Sequence, residues 1–401
     1  MNSSVMVWPA DPRSTGVEIR RGRSLLSGVE NGPDLQSHLR HHGPLPTLGL
    51  DELVGRTRGS ALLGRGGAGF PFAVKLEATT KSRGKPSVVV NLAEGEPASW
   101  KDSALSMVAP HLVLDGASIT AAALGAAEVH VVLPGDRSAV RLQLKAAIDE
   151  RTERFSTAVA DVAFVAGQAA AVVELLSGRE NRPVTSWEPA AVRGLRNKPT
   201  LLSNAETFAH VALIARGVGA STTLLTIDGD SSRPLVREVR LGKPWRKVLR
   251  RDQLDGPVLL GGYHGTWAAP GALRSLTVSR DSMGAAGLAL GAGIVLTGDR
   301  CPLDRAAEIA TYLASESAGR CGPCVNGLPR LAAALRDAAR GLGGTTEIER
   351  LAGLVERRGA CAHPDGTARM ARSLVTSYAF ELREHQRGRC CFALGEPRKA
   401  G

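Results

Sequence analysis

A glycine-rich turn constrains this chain more than any other stretch of its sequence. It reads Gly64-Arg65-Gly66-Gly67-Ala68-Gly69-Phe70-Pro71, and Lys75 follows shortly after. Four glycines in six residues are hard to explain by packing alone, because glycine permits positive φ angles and a close approach of the backbone to a ligand. Backbone N–H groups in such a turn can bind a phosphate, and Arg65 and Lys75 add positive charge. The turn therefore predicts a site for a phosphorylated ligand.

A short apolar run follows the turn and ends in polar residues. Residues 87–90 have the β-branched composition of a buried strand, and they lead into Asn91, Glu94 and Glu96. An amide and two carboxylates after a strand can bind the polar edge of a ring. We therefore expect the ligand to be a phosphorylated cofactor that lies over the end of this strand.

Between residues 51 and 217 apolar runs alternate with helical patterns, which is typical of βαβ units. Strands are predicted at residues 88–91, 129–133 and 162–165. Helices are predicted at residues 111–128, 138–151 and 167–176. The expected fold class is α/β, with a mostly parallel sheet.

The pattern changes after about residue 220. Short strands are predicted at residues 222–227, 235–241 and 258–261, with a helix near residues 245–250. Another strand, at residues 293–296, precedes a helical pattern that begins at Pro302. Five segments are therefore expected: a loosely structured N-terminal arm (1–50), an α/β domain (51–217), a small α+β module (218–285), a helical domain (286–392) and a tail (393–401).

Two helices of the helical domain are predicted to fold back on each other. Their apolar faces are Leu328, Leu331 and Leu335, and Ile348, Leu351, Leu354 and Val355. A glycine turn separates them, and Thr346 with Glu349 would form a capping box for the second helix. This antiparallel pair would return Cys361 close to Cys321 and Cys324.

The thiols of Cys321, Cys324 and Cys361 predict a metal site, because a C-x-x-C turn with a third cysteine suits an iron–sulfur cluster or zinc. Either normally takes four protein ligands, so one is missing. The remaining candidates are Cys301, His363, Cys390 and Cys391. Without a metal, Cys301 would be a small buried residue and His363 a histidine in a surface loop. Cys390 and Cys391 would be two thiols near the C-terminus.

The net charge of +11 predicts an acidic partner. The basic residues are scattered and form no aromatic–basic array, so an acidic electron carrier such as a ferredoxin is favoured over nucleic acid. The N-terminus resembles no signal peptide, and no apolar stretch approaches the roughly 20 residues that span a bilayer. We expect a cytoplasmic protein whose six cysteines are thiols or metal ligands.

Four motifs in order resemble the NADH-binding flavoprotein of respiratory complex I, the family of 51 kDa or F subunits. Residues 64–71 with Lys75 are similar to the FMN loop of that family. Residues 91–101 resemble N-A-D-E-x-E-P-G-x-x-K, residues 198–207 resemble K-P-T…N-N-V-E-T, and residues 316–324 resemble E-S-C-G-x-C-x-P-C. The resemblance covers residues 51–387 and is specific, because a lone glycine-rich turn would not identify the family.

The resemblance implies FMN in the α/β domain, a β-grasp module of the SLBB type at 218–285 and a [4Fe–4S] cluster in the helical domain. The implied FMN ligands are Gly64, Arg65, Gly66, Gly67, Lys75, Asn91, Glu94 and Asn204. Glu96 would lie where nicotinamide stacks on the flavin and take part in catalysis. Phe70 would touch adenine, although a packing role is also common for such a residue.

The chain departs from the family where the dinucleotide would bind. Ala93 replaces an Asp, and residues 168–171 read Gln-Ala-Ala-Ala where the family has E-E-T-A. A lysine is also missing beside Trp187, which would replace a family aromatic or simply pack. Loss of carboxylates can relax discrimination against a 2′-phosphate, or abolish the site. NADH binding is therefore expected to be weakened, altered or lost, with NADP(H) as the alternative to NAD(H).

Ala318 stands where the family has the first cluster cysteine. A methyl group cannot bind iron, so the expected outcomes are a [4Fe–4S] cluster with a non-cysteine ligand, a [3Fe–4S] cluster, or no cluster. The predicted function is an FMN-dependent oxidoreductase that passes electrons between NAD(P)H and a ferredoxin or [2Fe–2S] partner protein. The alternative is an electron-relay or structural flavoprotein subunit that binds FMN without NADH.

Overall fold

The computed structural model describes residues 5–8, 16–229 and 232–392. The predicted tail, 393–401, lies outside the described residues. The chain forms two units, which we call the N-terminal unit (Met1–Thr226 with Arg233–Leu241) and the C-terminal unit (Ile227–Ser232 with Gly242–Gly401). Strand β7 contributes residues to both.

Strands and helices alternate along most of the N-terminal unit. Its strands are β1 Val5–Trp8, β2 Val17–Arg20, β3 Ser87–Asn91, β4 Val129–Leu133, β5 Phe155–Val159, β6 Thr200–Asn204, β7 Thr222–Gly229 and β8 Ser232–Arg240. Its helices are α1 Leu35–His42, α2 Leu50–Gly59, α3 Phe72–Lys81, α4 Lys101–Val108, α5 Pro110–Leu124, α6 Ser138–Asp149, α7 Ala169–Leu176 and α8 Ala205–Ala215.

A four-stranded parallel sheet of order β5-β4-β3-β6 forms the core of this unit. Val88, Val89 and Val90 of β3 are all fully buried, as expected for a central strand covered on both faces. Helices α5 and α8 pack against each other so closely that a Cβ on Gly116 would lie 1.8 Å from the carbonyl oxygen of Phe208. The predicted α/β class with a parallel sheet is confirmed.

The N-terminal segment contains a short helix, α1, which agrees with the short helical pieces expected there, but its described residues from 17 onward are folded into the core and are not loosely structured. Strand β2 pairs in parallel with β8, and Ile19, Leu25 and Leu26 are buried in the core. The carboxylate of Glu238 accepts hydrogen bonds from the backbone of Ser24, Leu25 and Leu26. These long-range partners could not be identified from local sequence patterns.

One predicted strand is wrong. Residues 164–167 form a 3₁₀ turn, and the strand next to β4 is β5 at Phe155–Val159. Val162 is 71% exposed, so the apolar run at 162–165 does not indicate a strand. Within the run only Val165 is buried, and it lies in the 3₁₀ turn.

The C-terminal unit combines a small sheet with a helical region. Its helices and strands are α9 Arg251–Asp255, β9 Val258–Leu260, β10 Thr266–Ala268, α10 Arg280–Ala285, β11 Ile294–Thr297, α11 Pro302–Ser315, α12 Leu328–Ala339, α13 Thr345–Val355, α14 His363–Ser377 and α15 Ala379–Gln386. Strand β9 pairs antiparallel with β10 and β11. The helical pattern from Pro302 is confirmed, whereas the β-grasp assignment for 218–285 stays a prediction.

Two local predictions in this unit need correction. The region 245–250 contains only a 3₁₀ turn, Trp245–Lys247, and α9 begins at Arg251. Helix α13 begins at Thr345 with Gly344 as its N-cap, so Thr346 lies inside the helix and forms no capping box. Gly344 has extended backbone angles (φ −131°, ψ 169°), and the helix therefore starts two residues earlier than the side-chain pattern indicates.

Among the described helices, none alone is long and apolar enough to cross a membrane. One pair, α4 and α5, passes the same length and composition test when taken together, and its two members meet at a bend of 97°.

Candidate functional site

The glycine-rich turn is closed at its base and open at its tip. The N–H of Gly64 donates to the carbonyl of Phe70 at 2.9 Å, and Leu63 and Pro71 form an antiparallel bridge. Gly67 and Gly69 have φ angles of 108° and 61°, which only glycine adopts without strain. Gly66 and Gly67 are exposed. Within the described chain their N–H groups donate to no protein acceptor, so both can bind an anion.

The turn lies over the carboxyl end of the parallel sheet. Asn91 and Asn204 are paired register positions at the ends of β3 and β6. A Cβ on Gly66 would lie 3.8 Å from the side chain of Asn204, so the turn and the strand end are in contact range. Ligands of parallel α/β sheets bind outside the carboxyl ends of the strands. The structure therefore brings together the glycine-rich turn, Asn91 and Asn204, which are three parts of the predicted site.

Lys75 supplies a positive charge that no carboxylate of the described residues neutralises. Its Nζ donates to the carbonyl of Leu202 at 2.9 Å, and it forms no ion pair with the carboxylates of the described residues. Burial lowers the pKa of this ammonium below its usual value. A partly buried cation without a counterion is stabilised when an anion binds beside it, which fits the predicted phosphate.

Arg65 is placed differently from the prediction. Its backbone N–H donates to Thr207 Oγ1 at 2.9 Å, and its guanidinium donates to the carbonyl of Thr222 at 3.1 Å. Its Nε lies 3.9 Å from Glu206 Oε1, and burial lowers the pKa of the guanidinium. The side chain is therefore turned toward the interior, and phosphate binding by Arg65 stays a prediction.

A buried ion-pair network lies beneath the turn, and the sequence analysis missed it. Lys101 Nζ lies 2.8 Å from Asp102 Oδ2 and 2.9 Å from Glu206 Oε2, with all three side chains almost fully buried. Asp102 accepts hydrogen bonds from the Asn204 amide and from the backbone N–H of Glu206. Lys101 and Glu206 both lie in motifs that resemble the family, at residues 91–101 and 198–207. Their place in these motifs is the one sequence feature that could have indicated the network.

The opposite charges within this network determine the protonation states of Lys101 and Glu206. Burial alone would raise the pKa of Glu206, but Lys101 and Arg65 lower it below the usual value. Burial would lower the pKa of Lys101, but Asp102 and Glu206 raise it well above its usual value. Glu206 also accepts hydrogen bonds from Thr223 Oγ1 and the N–H of Leu224, both at 2.9 Å. The ion pair is therefore charged at neutral pH.

Glu94 is also engaged by the protein. Its carboxylate accepts hydrogen bonds from the Ser99 hydroxyl and from the backbone N–H groups of Asp102 and Ser103. Arg137 donates to it at 2.6 Å and lies 4.1 Å over the ring of Trp100. Despite burial, Arg137 and these donors lower the pKa of Glu94. Glu94 holds the start of α4, so its predicted contact with the flavin stays untested.

The segments around Asn91 and Gly167 meet at backbone contact distance. The Asn91 amide donates to the carbonyl of Gly167 at 2.8 Å. A Cβ on Gly95 would lie 2.5 Å from the Ala163 oxygen, and one on Gly167 would lie 2.2 Å from the Ala93 oxygen. Glycine is therefore required at both positions. This contact places Glu96, which is partly exposed, on the segment beside the predicted dinucleotide region.

The predicted dinucleotide region carries no acidic side chain at its helix start. Helix α7 begins after Gln168, which makes no side-chain cap, and its first turn contains no carboxylate. Ala169 is exposed, Phe70 is 49% exposed and Trp187 is 93% exposed. The partial positive charge of a helix N-terminus is therefore unopposed by acidic residues in this turn.

Three thiols of the C-terminal unit lie near one another. The pKa of Cys324 is raised to about 12 by burial and by the adjacent thiols of Cys321 and Cys361. The influence of Cys361 on the Cys324 thiol supports the predicted return of Cys361 toward the C-x-x-C turn. Ala318 is buried and offers only a methyl group, so Cys321, Cys324 and Cys361 can supply three of the four thiolates that such a cluster normally takes.

His363 is not the surface-loop residue of its ordinary interpretation. It is fully buried at the start of α14, and its Nε2 donates to the carbonyl of Leu313 at 2.7 Å. Its Nδ1 lies 3.1 Å from Nε2 of His264. Both ring nitrogens therefore have protein partners, and His363 is not placed to complete the thiol set.

Two family models match the regions just described. Residues 57–213 match the Nuo51 FMN-binding domain, which includes the turn, both asparagines and the buried network. Residues 304–385 match the NADH-ubiquinone oxidoreductase-F iron-sulfur binding region, which includes the three thiols. The fold and the two regions define a flavoprotein with an FMN-binding domain and a 4Fe–4S binding region.

Relatives match over most of their length. The F 2 subunit of NADH-quinone oxidoreductase from Rhizobium meliloti (strain 1021) is 30% identical over 85% of this chain and 90% of its own. The F subunit of the enzyme from Escherichia coli (strain K12) is 30% identical over 84% and 85%. The chain belongs to the family of NADH-quinone oxidoreductase F subunits. An NAD+-reducing [NiFe]-hydrogenase chain is 25% identical with a TM-score of 0.79, over 92% of this chain and 67% of that one.

Replacing Glu206 with Gln is expected to destabilise the N-terminal unit by about 3–5 kcal/mol, because it leaves the buried Lys101 ammonium short of a counterion. Since the folded-state pKa of Glu206 is lowered, its contribution is present above about pH 4.5 and is lost as the pH falls. Urea unfolding followed by tryptophan fluorescence, repeated from pH 7 to about pH 3, measures both effects.

Glu52→Gln is the control, because Glu52 forms an exposed pair with Arg56 and its loss costs about 0.5 kcal/mol or less. Equal stabilities of the two variants at pH 7 would contradict a supporting role for the buried network.

Proposed function

We propose that this chain is an FMN-dependent oxidoreductase that passes electrons between NAD(P)H and an iron–sulfur or ferredoxin-type partner. The main support is the position of the open glycine-rich turn over the ends of β3 and β6, where Asn91 and Asn204 are paired. Matching of residues 57–213 to an FMN-binding domain supports FMN as the phosphorylated ligand.

The residues divide into those that would bind FMN and those that position them. Gly66, Gly67 and Lys75 present N–H donors for the phosphate. Asn91 and Asn204, whose amides donate to the Gly167 carbonyl and to Asp102, would line the strand ends beneath the flavin and its ribityl chain. Bound FMN accepts a hydride and releases single electrons, which is the chemistry that a converter between two-electron and one-electron carriers needs. Glu96 is assigned to the nicotinamide side of the flavin.

Arg65 and Glu94 act through other residues in this proposal. Arg65 connects the turn to Thr207 and Thr222, and Glu94 fixes the start of α4 through Ser103 and Arg137. Both would hold the FMN-binding turn and the strand ends in place, and their predicted contacts with FMN belong to the same proposal.

The nicotinamide site is proposed to tolerate or prefer NADPH. The first turn of α7 carries no carboxylate, so no acidic side chain there repels a 2′-phosphate. The uncompensated helix N-terminus also favours an added anion. The same loss of carboxylates supports the alternative function, a relay subunit that keeps FMN and no longer reacts with either nucleotide.

The iron–sulfur region is proposed to hold a cluster on Cys321, Cys324 and Cys361. With Ala318 in the fourth position, the cluster would be [3Fe–4S], or [4Fe–4S] with a ligand from outside the cysteine set. Cys321 and Cys361 are partly exposed, which leaves room for such a ligand.

The proposed partner is an acidic electron carrier, a ferredoxin or a small [2Fe–2S] protein. Support comes from the net charge of +11, because opposite charge speeds the docking of electron carriers. The predicted domain boundaries and a cytoplasmic location belong to the same proposal. Similarity to relatives that are named as subunits of NADH-quinone oxidoreductase supports a multisubunit setting.

Replacing Lys75 with Met is expected to weaken FMN binding about 10- to 100-fold, because a charge-assisted hydrogen bond to the phosphate is lost. Lys81→Met, at the exposed far end of the same helix, is the matched control and should leave binding unchanged. Quenching of FMN fluorescence during titration with the apoprotein measures both affinities. An unchanged affinity in Lys75→Met would argue against the phosphate position.

NADPH is expected to bleach the FMN-loaded chain at least as readily as NADH under anaerobic conditions, because α7 lacks acidic residues at its start. The double variant Gln168→Glu and Ala169→Glu should shift the preference toward NADH. Stopped-flow absorbance of the flavin measures both rates.

Gln168→Ala controls for side-chain size without charge. Rapid bleaching of the unaltered protein by micromolar NADH, with little reaction of NADPH, would contradict the altered site. Bleaching by neither nucleotide, while dithionite reduces the flavin, would favour the relay function.

A further inference from the structure

A second cluster of metal-ligating side chains lies in the C-terminal unit, apart from the C-x-x-C thiols. It consists of Cys301, Glu381, His385 and Cys390, whose ligand atoms all lie within 4.8 Å of one another. Cys301 directly precedes α11, Glu381 and His385 lie one turn apart on α15, and Cys390 follows that helix. The first three are buried and Cys390 is partly buried. Four side chains from three places in the sequence therefore converge on one point.

The imidazole of His385 is oriented as in a metal ligand. Its Nδ1 lies 2.6 Å from the carbonyl oxygen of Ala339, which can only accept, so Nδ1 carries a proton. Its Nε2 lies 3.4 Å from Cys301 Sγ and 3.1 Å from Glu381 Oε1. Histidine ligands commonly donate their second N–H to a backbone carbonyl, which directs the other nitrogen at the metal.

The ligand set and its spacing suit zinc. Zinc binds thiolate, imidazole and carboxylate groups tetrahedrally, with bond lengths of roughly 2.0–2.3 Å that separate the ligand atoms by about 3.3–3.8 Å. The two separations from His385 Nε2, 3.1 and 3.4 Å, are close to that range. Softer thiolate and imidazole ligands also favour zinc over magnesium or calcium.

We propose that Cys301, Glu381, His385 and Cys390 bind a zinc ion. The ion would connect the start of α11 to the segment after α15, so it would fix the last described part of the chain to the helical region. Binding converts two thiols to thiolates and releases their two protons to solvent, and no electron is transferred. This site is independent of the flavin and of the proposed cluster.

Zinc content of the full-length chain, purified under reducing conditions, tests the site. Cys390→Ser and Cys301→Ser should each lose the equivalent of a single zinc ion, whereas the neighbouring exposed Cys391→Ser should keep it. The zinc content of each variant is compared with that of the unaltered chain. The total alone does not identify the site, because Cys321, Cys324 and Cys361 can also bind zinc when iron is absent.

Cobalt(II) substitution gives a second, spectroscopic measurement that reports the ligands of the bound ion. The unaltered chain and Cys391→Ser should show the visible bands of tetrahedral cobalt with thiolate-to-cobalt charge transfer, and Cys390→Ser should show weaker bands. Equal zinc content and equal cobalt spectra in Cys390→Ser, Cys301→Ser and Cys391→Ser would overturn the proposal. A Cys301–Cys390 disulfide in metal-free protein purified under reducing conditions would overturn it as well.

Discussion

The flavin site depends on the buried ion pairs that the Lys101 ammonium forms with Asp102 and Glu206. The ammonium lies between Asp102 and Glu206, and each carboxylate positions a different part of the site. Asp102 accepts hydrogen bonds from the Asn204 amide, while Glu206 faces Arg65, whose backbone binds Thr207 beside the same strand end. Because a buried charge is costly without its partners, these groups stabilise one arrangement. The glycine-rich turn is therefore held in place from below, while the N–H groups of Gly66 and Gly67 donate to no acceptor in the described chain.

Much of the fold could be predicted from the sequence because its signals are local. The valine run of β3, the βαβ alternation and the Leu328, Leu331 and Leu335 face all depend on residues close in sequence, and the structure confirms them. The run at 162–165 misled the prediction because it has strand composition but only its end is buried. The folded N-terminal segment depends on Glu238, which is distant in sequence, so no local pattern could reveal it.

The site was predictable in its residue types but less so in their roles. Asn91, Asn204 and Lys75 lie where the motifs indicate, at the strand ends and the start of α3. Arg65 and Glu94 have the expected charge, yet the structure directs both into the protein interior. Side-chain direction depends on tertiary partners such as Thr222 and Arg137, which a motif does not specify. The convergence of Cys301 with Cys390 is likewise visible only in three dimensions.

The flavin site keeps its backbone geometry, while the predicted nucleotide region and the thiol set have lost charged or thiol ligands. The proposed electron transfer therefore requires that this chain still binds FMN and an iron–sulfur cluster. The direct test is to quantify FMN, iron and acid-labile sulfide in the full-length chain after anaerobic purification and reconstitution. We predict stoichiometric FMN, with flavin absorption bands on a broad iron–sulfur shoulder. A colourless protein that retains no FMN, iron or sulfide would contradict the account.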